Sequence, residues 1–125
     1  MKNCMKSIVV IFVFLVGLQH VNAQETVLKE VLLTTLNSVN ELDLSNLKTE
    51  DLMEYNTGLT DRIYEILESD KVEKEKVEAM KILSNDTERD LTDLLGKKMH
   101  KKYVKLMEDQ LKPLIKKDKT LKHLF

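Results

Sequence analysis

The chain has 125 residues with 20 basic and 21 acidic side chains, so its total charge is nearly balanced. Three glycines and one proline supply little turn material, which argues against an all-β domain. A single cysteine, Cys4, leaves everything downstream of it without disulfides, thiolate metal sites or thiol nucleophiles.

Lys2 and Lys6 precede an uninterrupted apolar run from Ile8 to Leu18, and Val21-Asn22-Ala23 follows with residues tolerated at a cleavage site. This is the pattern of an export signal cut before Gln24. The run falls short of the ~20 apolar residues a membrane-spanning helix needs. Cys4 stands before the run rather than after it, so lipid anchoring at the cut is not expected. Residues 1–23 are accordingly read as a signal peptide and residues 24–125 as a single periplasmic or secreted domain. Such a domain, without disulfides, must hold together through its core or by dimerisation.

From Glu25 onward Val27, Leu28, Val31, Leu32, Leu36, Val39 and Leu42 recur at helical spacing and predict a first amphipathic helix. Thr49 followed by Glu50 and Asp51 predicts an N-cap, with a second helix from about Glu50 to Glu68. Its apolar positions are Leu52, Met53, Tyr55, Leu59, Ile63, Ile66 and Leu67. Gly58 within it costs ~1 kcal/mol against alanine and marks close packing or a bend. Asp70 and Glu73 have capping-box spacing ahead of a third helix carrying Val72, Val77, Met80 and Leu83. The Lys-Glu alternation from Lys71 to Glu78 fits a solvated helix face.

Asn85-Asp86-Thr87 is expected to break or bend that helix before Leu91, Leu94 and Leu95 continue an apolar face, and Gly96 fits a C-cap. A last long helix from about Lys97 bears Met99, Tyr103, Val104, Leu106, Met107 and Leu111. Pro113 should end or kink it at Lys112, leaving a short, looser turn or helix to Phe125. Connections of a few residues make consecutive helices antiparallel neighbours. The expectation is an all-α fold, a small antiparallel bundle of about four helices, with the third and fourth either separate or fused.

Charge is uneven along the chain. Residues 24–96 hold 18 acidic and 8 basic side chains, net −10, and residues 97–125 hold 3 acidic and 10 basic, net +7. One reading packs the basic helix against acidic helices of its own chain or of a homodimer mate. Another has residues 97–125 attracted to an acidic protein or, weakly, to an anionic membrane surface. Nucleic acid is not expected, because the basic segment has no arginine and a single internal aromatic residue, Tyr103.

Catalytic signatures do not emerge. His100 and His123 lie far apart in sequence with no spacing that shares a metal, and the carboxylate pairs Glu50-Asp51 and Glu73/Glu75 fall on predicted exposed faces. No glycine-rich phosphate loop, Gly-x-Ser-x-Gly elbow or His-Glu-x-x-His motif occurs, so no enzyme activity and no cofactor are expected. Asn85-Asp86-Thr87 matches a glycosylation acceptor by composition alone. Met53, Met80, Met99 and Met107 suit either ordinary core or an adaptable apolar surface.

The order of elements, with Leu47-Lys48-Thr49-Glu50-Asp51 opening a helix and a later Leu94-Leu95-Gly96-Lys97-Lys98-Met99-His100-Lys101-Lys102-Tyr103 segment, resembles the periplasmic LTxxQ-motif family of Spy and CpxP over roughly residues 44–112. Leu95 and Lys102-Tyr103 correspond to the second motif, while Leu-Thr-x-x-Gln itself is replaced at both places. The resemblance implies an all-helical, often dimeric periplasmic protein that binds unfolded or envelope proteins without ATP. The leading expectation is therefore an exported, non-enzymatic helical binding protein, an ATP-independent chaperone or envelope-stress adaptor. Its candidate partner-binding residues are the stripe Leu52, Leu59, Ile63 and Ile66, which core packing explains equally, and the basic positions Lys101, Lys102 and Lys105. The alternative is a dedicated single-partner protein, such as an exported immunity protein or inhibitor, burying about 1,600 Å² in one tight complex.

Overall fold

Polar caps, one glycine and one proline set most of the helix boundaries of this chain. The computed structural model describes residues 29–125, and the regular elements among them are all helical. Chain contacts divide the sequence into Met1–Val31 and Leu32–Phe125. The signal-peptide segment 1–23 and the start of the first predicted helix lie outside the described residues. Residues 29–36 are helical (α1), followed by α2 (Asn46–Leu67), α3 (Glu73–Leu95), α4 (Lys97–Gln110), α5 (Lys112–Lys117) and a 3-10 turn, Lys119–His123.

The boundaries correct several expectations. The first helix ends at residue 36 instead of reaching Leu42. Asn37, Ser38 and Asn40 compete for the backbone there, and Ser38 Oγ donates to the Thr34 carbonyl at 2.7 Å. Val39 still turns inward from the irregular segment that follows. The second helix starts a turn before Thr49, because Ser45 is the better cap and its Oγ accepts from Lys48 N at 3.2 Å. Asp70 does not cap it: α3 begins after Val72 without a side-chain cap, and Glu73 and Glu75 in its first turn favourably meet the positive end of the helix dipole instead. Asn85-Asp86-Thr87 leaves α3 unbroken, with Asp86 held by Arg89 at 3.0 Å and Arg62 at 3.6 Å. Pro113 separates α4 from α5 as expected, standing in the first turn of α5 where its missing N–H costs nothing.

Helices α2 and α3 run antiparallel, since contacts that move forward along one move back along the other. Tyr55 Oη donates to Asp90 at 2.9 Å, and seven residues later Arg62 meets Asp86. Lys76 Nζ donates to the Leu67 carbonyl at 2.8 Å, placing a cation on an orphan acceptor at the end of α2. Beyond α3 the chain reverses through Gly96 alone. Its N–H donates to the Thr92 carbonyl at 2.8 Å and its own carbonyl accepts from His100 N at 2.9 Å. The backbone there has φ 84° and ψ 155°, a region open almost only to glycine.

The core collects one stripe from each element: Leu32 and Leu36, Leu52, Leu59 and Ile63, Met80, Leu83, Leu91 and Leu95, Tyr103 and Met107, with Leu111 and Leu114. Burying each such side chain contributes about 1.5–3 kcal/mol. The tail is not loose, because the 3-10 turn packs along α3 and delivers Leu121 and Leu124 into that core. Asp118 starts the turn by accepting from Thr120 N at 3.1 Å.

The two helical-region glycines separate two effects. Nothing lies within 4 Å of a Cβ added at either. Gly58→Ala should therefore raise stability by roughly 0.5–1 kcal/mol through helix propensity alone. Gly96→Ala should lower it by about 1–3 kcal/mol through backbone strain alone. Urea unfolding followed by far-UV circular dichroism checks both; equal effects at the two positions would contradict the backbone assignment at Gly96.

Candidate binding cleft

Two stripes with one-turn spacing face each other across the Gly96 reversal. Ser84, Glu88 and Thr92 line up along α3, and Lys97, Lys101 and Lys105 along α4. They wall an open cleft of about 740 Å³. Half-buried Val104 from α4 and Phe125 from the tail give it an apolar surface over the buried Leu124, and Glu108 closes the far end of the α4 wall.

Thr92 Oγ1 donates to the Glu88 carbonyl at 2.6 Å. With its single hydroxyl proton engaged there, it offers His100 Nδ1, 3.3 Å away, only lone pairs, so Nδ1 carries the proton in this contact. The contact bridges α3 and α4 across the reversal and holds the imidazole against the α3 wall.

Below the cleft, Tyr103 supports the tail. The Phe125 ring meets it edge-on with centroids 6.0 Å apart and planes at 77°. Tyr103 is fully buried, and its Oη donates at 2.7 Å to the carbonyl of Leu36, the last residue of α1. Burial pushes its pKa well above the usual tyrosine value, opposed by the Asn56 amide. Asn56, also fully buried, directs its Nδ2 at Leu36 O (3.0 Å), Asn37 Oδ1 (2.9 Å) and Tyr103 Oη (3.4 Å). Three acceptors around one NH₂ fix the amide's orientation, because the flipped rotamer would set oxygen against oxygen. Its own Oδ1 has no partner among the described residues. At the α2/α3 contact Tyr55 is pushed up to about 12, first by burial and then by its hydrogen bond to Asp90.

The basic helix α4 packs on the acidic α3 of its own chain, as one reading expects, but among the described residues its lysines form no ion pair there. All ten lysines between residues 97 and 125 are exposed. Among the described residues the ion pair from this segment is Lys112–Asp109 at 3.2 Å, internal to it. The physical reason lies in α4, which turns Tyr103 and Met107 inward and leaves its lysines in water, avoiding the desolvation that buried pairing entails.

The predicted partner-binding residues divide. Leu52, Leu59 and Ile63 are 0%, 2% and 0% exposed, so they are core and no partner reaches them. Ile66 is partly buried against the same core. Lys101 and Lys105 stand on the cleft wall, whereas Lys102 is exposed outside the lining. Ser84, Glu88, Thr92, Leu124 and Phe125 were not expected at a site. The α3 stripe is visible in the sequence as small and polar residues four apart; the approach of the tail is not.

A shallower depression of about 490 Å³ lies between the start of α3 and the 3-10 turn, where Lys74, Lys81, Lys119 and Lys122 surround His123. Burial, then the Lys122 and Lys81 charges, hold His123 below the ordinary histidine value. Among the described residues no three His, Cys, Asp or Glu side chains are placed to share a metal ion. No helix among them is long and apolar enough to cross a membrane. Compared with protein-family models, curated proteins and solved structures, the chain matches none.

Proposed function

We propose that this chain is an exported, non-enzymatic helical binding protein that holds segments of other proteins, acting as an ATP-independent chaperone or envelope-stress adaptor. The observation that supports this reading is the cleft of about 740 Å³ with apolar Val104 and Phe125 beside Lys97, Lys101 and Lys105 of α4, which form no ion pair among the described residues. Apolar burial at ~25 cal/mol per Å² supplies weak affinity, and exposed charge steers encounter. The leucine stripe of α2 has no part in it, being core.

The test is light scattering of several unrelated proteins as they unfold, with the full chain and with Lys101→Glu/Lys105→Glu. Suppression near stoichiometric ratios, reduced severalfold by the double substitution, is the expected result. Undiminished aggregation of every client would reject the reading. The exposed large apolar residues, Val31, Leu47, Met53, Val72 and Ile82, are not part of the cleft lining, whose Val104 and Phe125 are half-buried. A single defined cleft that joins half-buried apolar side chains to a lysine row also suits a second reading, the dedicated single-partner protein. Capture of one stoichiometric partner without client suppression would establish it.

A further inference from the structure

The chemistry of the two walls narrows what the cleft accepts. The α4 wall is basic at three successive turns, with Lys97, Lys101 and Lys105 at intervals of roughly 6 Å along the axis, and acidic only at its far end, Glu108. None of the three makes an ion pair among the described residues, so an incoming anion displaces no partner. The α3 wall has the opposite sign at its centre, Glu88, with hydroxyl residues Ser84 and Thr92 on either side. Apolar surface lies between and below. Both walls are α-helices whose interior N–H and C=O groups are already paired, so the cleft has no edge onto which an extended peptide could hydrogen-bond. A ligand helix brings its own backbone bonds satisfied and needs only side-chain complementarity.

We infer that the cleft binds an acidic amphipathic helix of another protein, laid along α3 and α4, with carboxylates one turn apart against Lys97, Lys101 and Lys105 and its apolar stripe on Val104 and Phe125. The α4 wall is roughly 16 Å long between Lys97 and Glu108, which matches about three turns of ligand. Glu88 repels a helix that is acidic on both flanks, so the bound helix is neutral or basic on the side facing α3. This rests on the reading that the cleft holds protein segments and adds which segments it holds.

The experiment measures fluorescence anisotropy of labelled synthetic peptides with the full chain. The first carries Glu every fourth residue beside a leucine stripe. The second has the same composition with the charges scattered around the helix. The third keeps the first pattern but is interrupted by proline. The first should bind roughly tenfold more tightly than the other two and lose roughly tenfold with Lys101→Glu/Lys105→Glu. A peptide with Lys in place of each Glu should prefer that variant, a charge-reversal rescue that loss of folding cannot produce. Equal binding of patterned and scattered peptides overturns the inference, as does tight binding of the proline-interrupted one, which would assign an extended ligand.

Two other occupants are separated in the same series. Sedimentation with phosphatidylglycerol vesicles, lost in the double variant while no peptide binds, would give the lysines to a membrane and overturn the inference. Concentration-dependent self-association abolished by the same substitutions, again without peptide binding, would give the cleft to a second copy and overturn it likewise. If client holding depends on Lys101 and Lys105 but the patterned peptide is not preferred, this inference fails while the proposed function stands.

Discussion

Asn56→Asp is expected to destabilise the fold by about 3 kcal/mol or more at neutral pH, the largest loss from any single polar substitution. The amide donates toward three acceptors at 2.9–3.4 Å in a fully buried site. A carboxylate there would have no proton to give them and would be desolvated beside a helix-terminal carbonyl. Burial among acceptors raises the folded-state pKa of the new acid above its unfolded value. The variant's stability is then greatest below the unfolded pKa and falls as pH rises through the folded one. Denaturant titration across pH measures it, and a pH-independent loss would contradict the acceptor arrangement. Tyr103→Phe removes one donor from a carbonyl that keeps Asn56, so a smaller loss of about 1 kcal/mol is expected. It should also blunt alkaline unfolding. Raised tyrosine pKa values mean that stability falls as pH passes the unfolded value and continues toward the folded one, and Tyr103 is the more buried contributor.

Ile63→Ala should cost about 2–5 kcal/mol in unfolding free energy while leaving cleft binding unchanged wherever the variant remains folded. The side chain is 0% exposed and stands with Leu59, Leu52 and Met80 in the central cluster, so truncation leaves a cavity the packed neighbours fill only in part. Chemical unfolding gives the first quantity, and peptide anisotropy below the transition gives the second. The opposite pattern, unaltered stability with lost binding, would return the α2 stripe to the surface.

Periodicity carried most of the architecture. The apolar stripes of α2, α3 and α4 and the C-cap at Gly96 follow from spacing and backbone preference, which act within a few residues. Boundaries were harder where two similar cues competed: Ser45 and Thr49 are both acceptable caps, and the one whose Oγ meets a free N–H took the role. The local polar residues that end α1 at Leu36 are in the sequence, but the partners that satisfy its terminal carbonyl, Asn56 and Tyr103, are 20 and 67 residues away. Half of the cleft shared that difficulty. Lys101 and Lys105 announce themselves as an exposed basic face, but whether Leu59 and Ile63 face a partner or a core is decided by what packs over them. Leu124 and Phe125 read as a loose end in the sequence because the burial of Leu124 in the core and the contact of Phe125 with Tyr103 are made at long range.

The joint between the two cleft walls is one residue long. Ser84, Glu88 and Thr92 lie on one side of Gly96 and Lys97, Lys101 and Lys105 on the other, with no loop between them to lengthen or shorten. The angle between the walls is therefore inherited from a backbone conformation that other residues adopt only under strain. Variation in what the cleft recognises has to come from exchanging side chains along a mould of constant width. Descendants of this chain that keep the glycine would differ in the charge and size of what they hold, and far less in its shape.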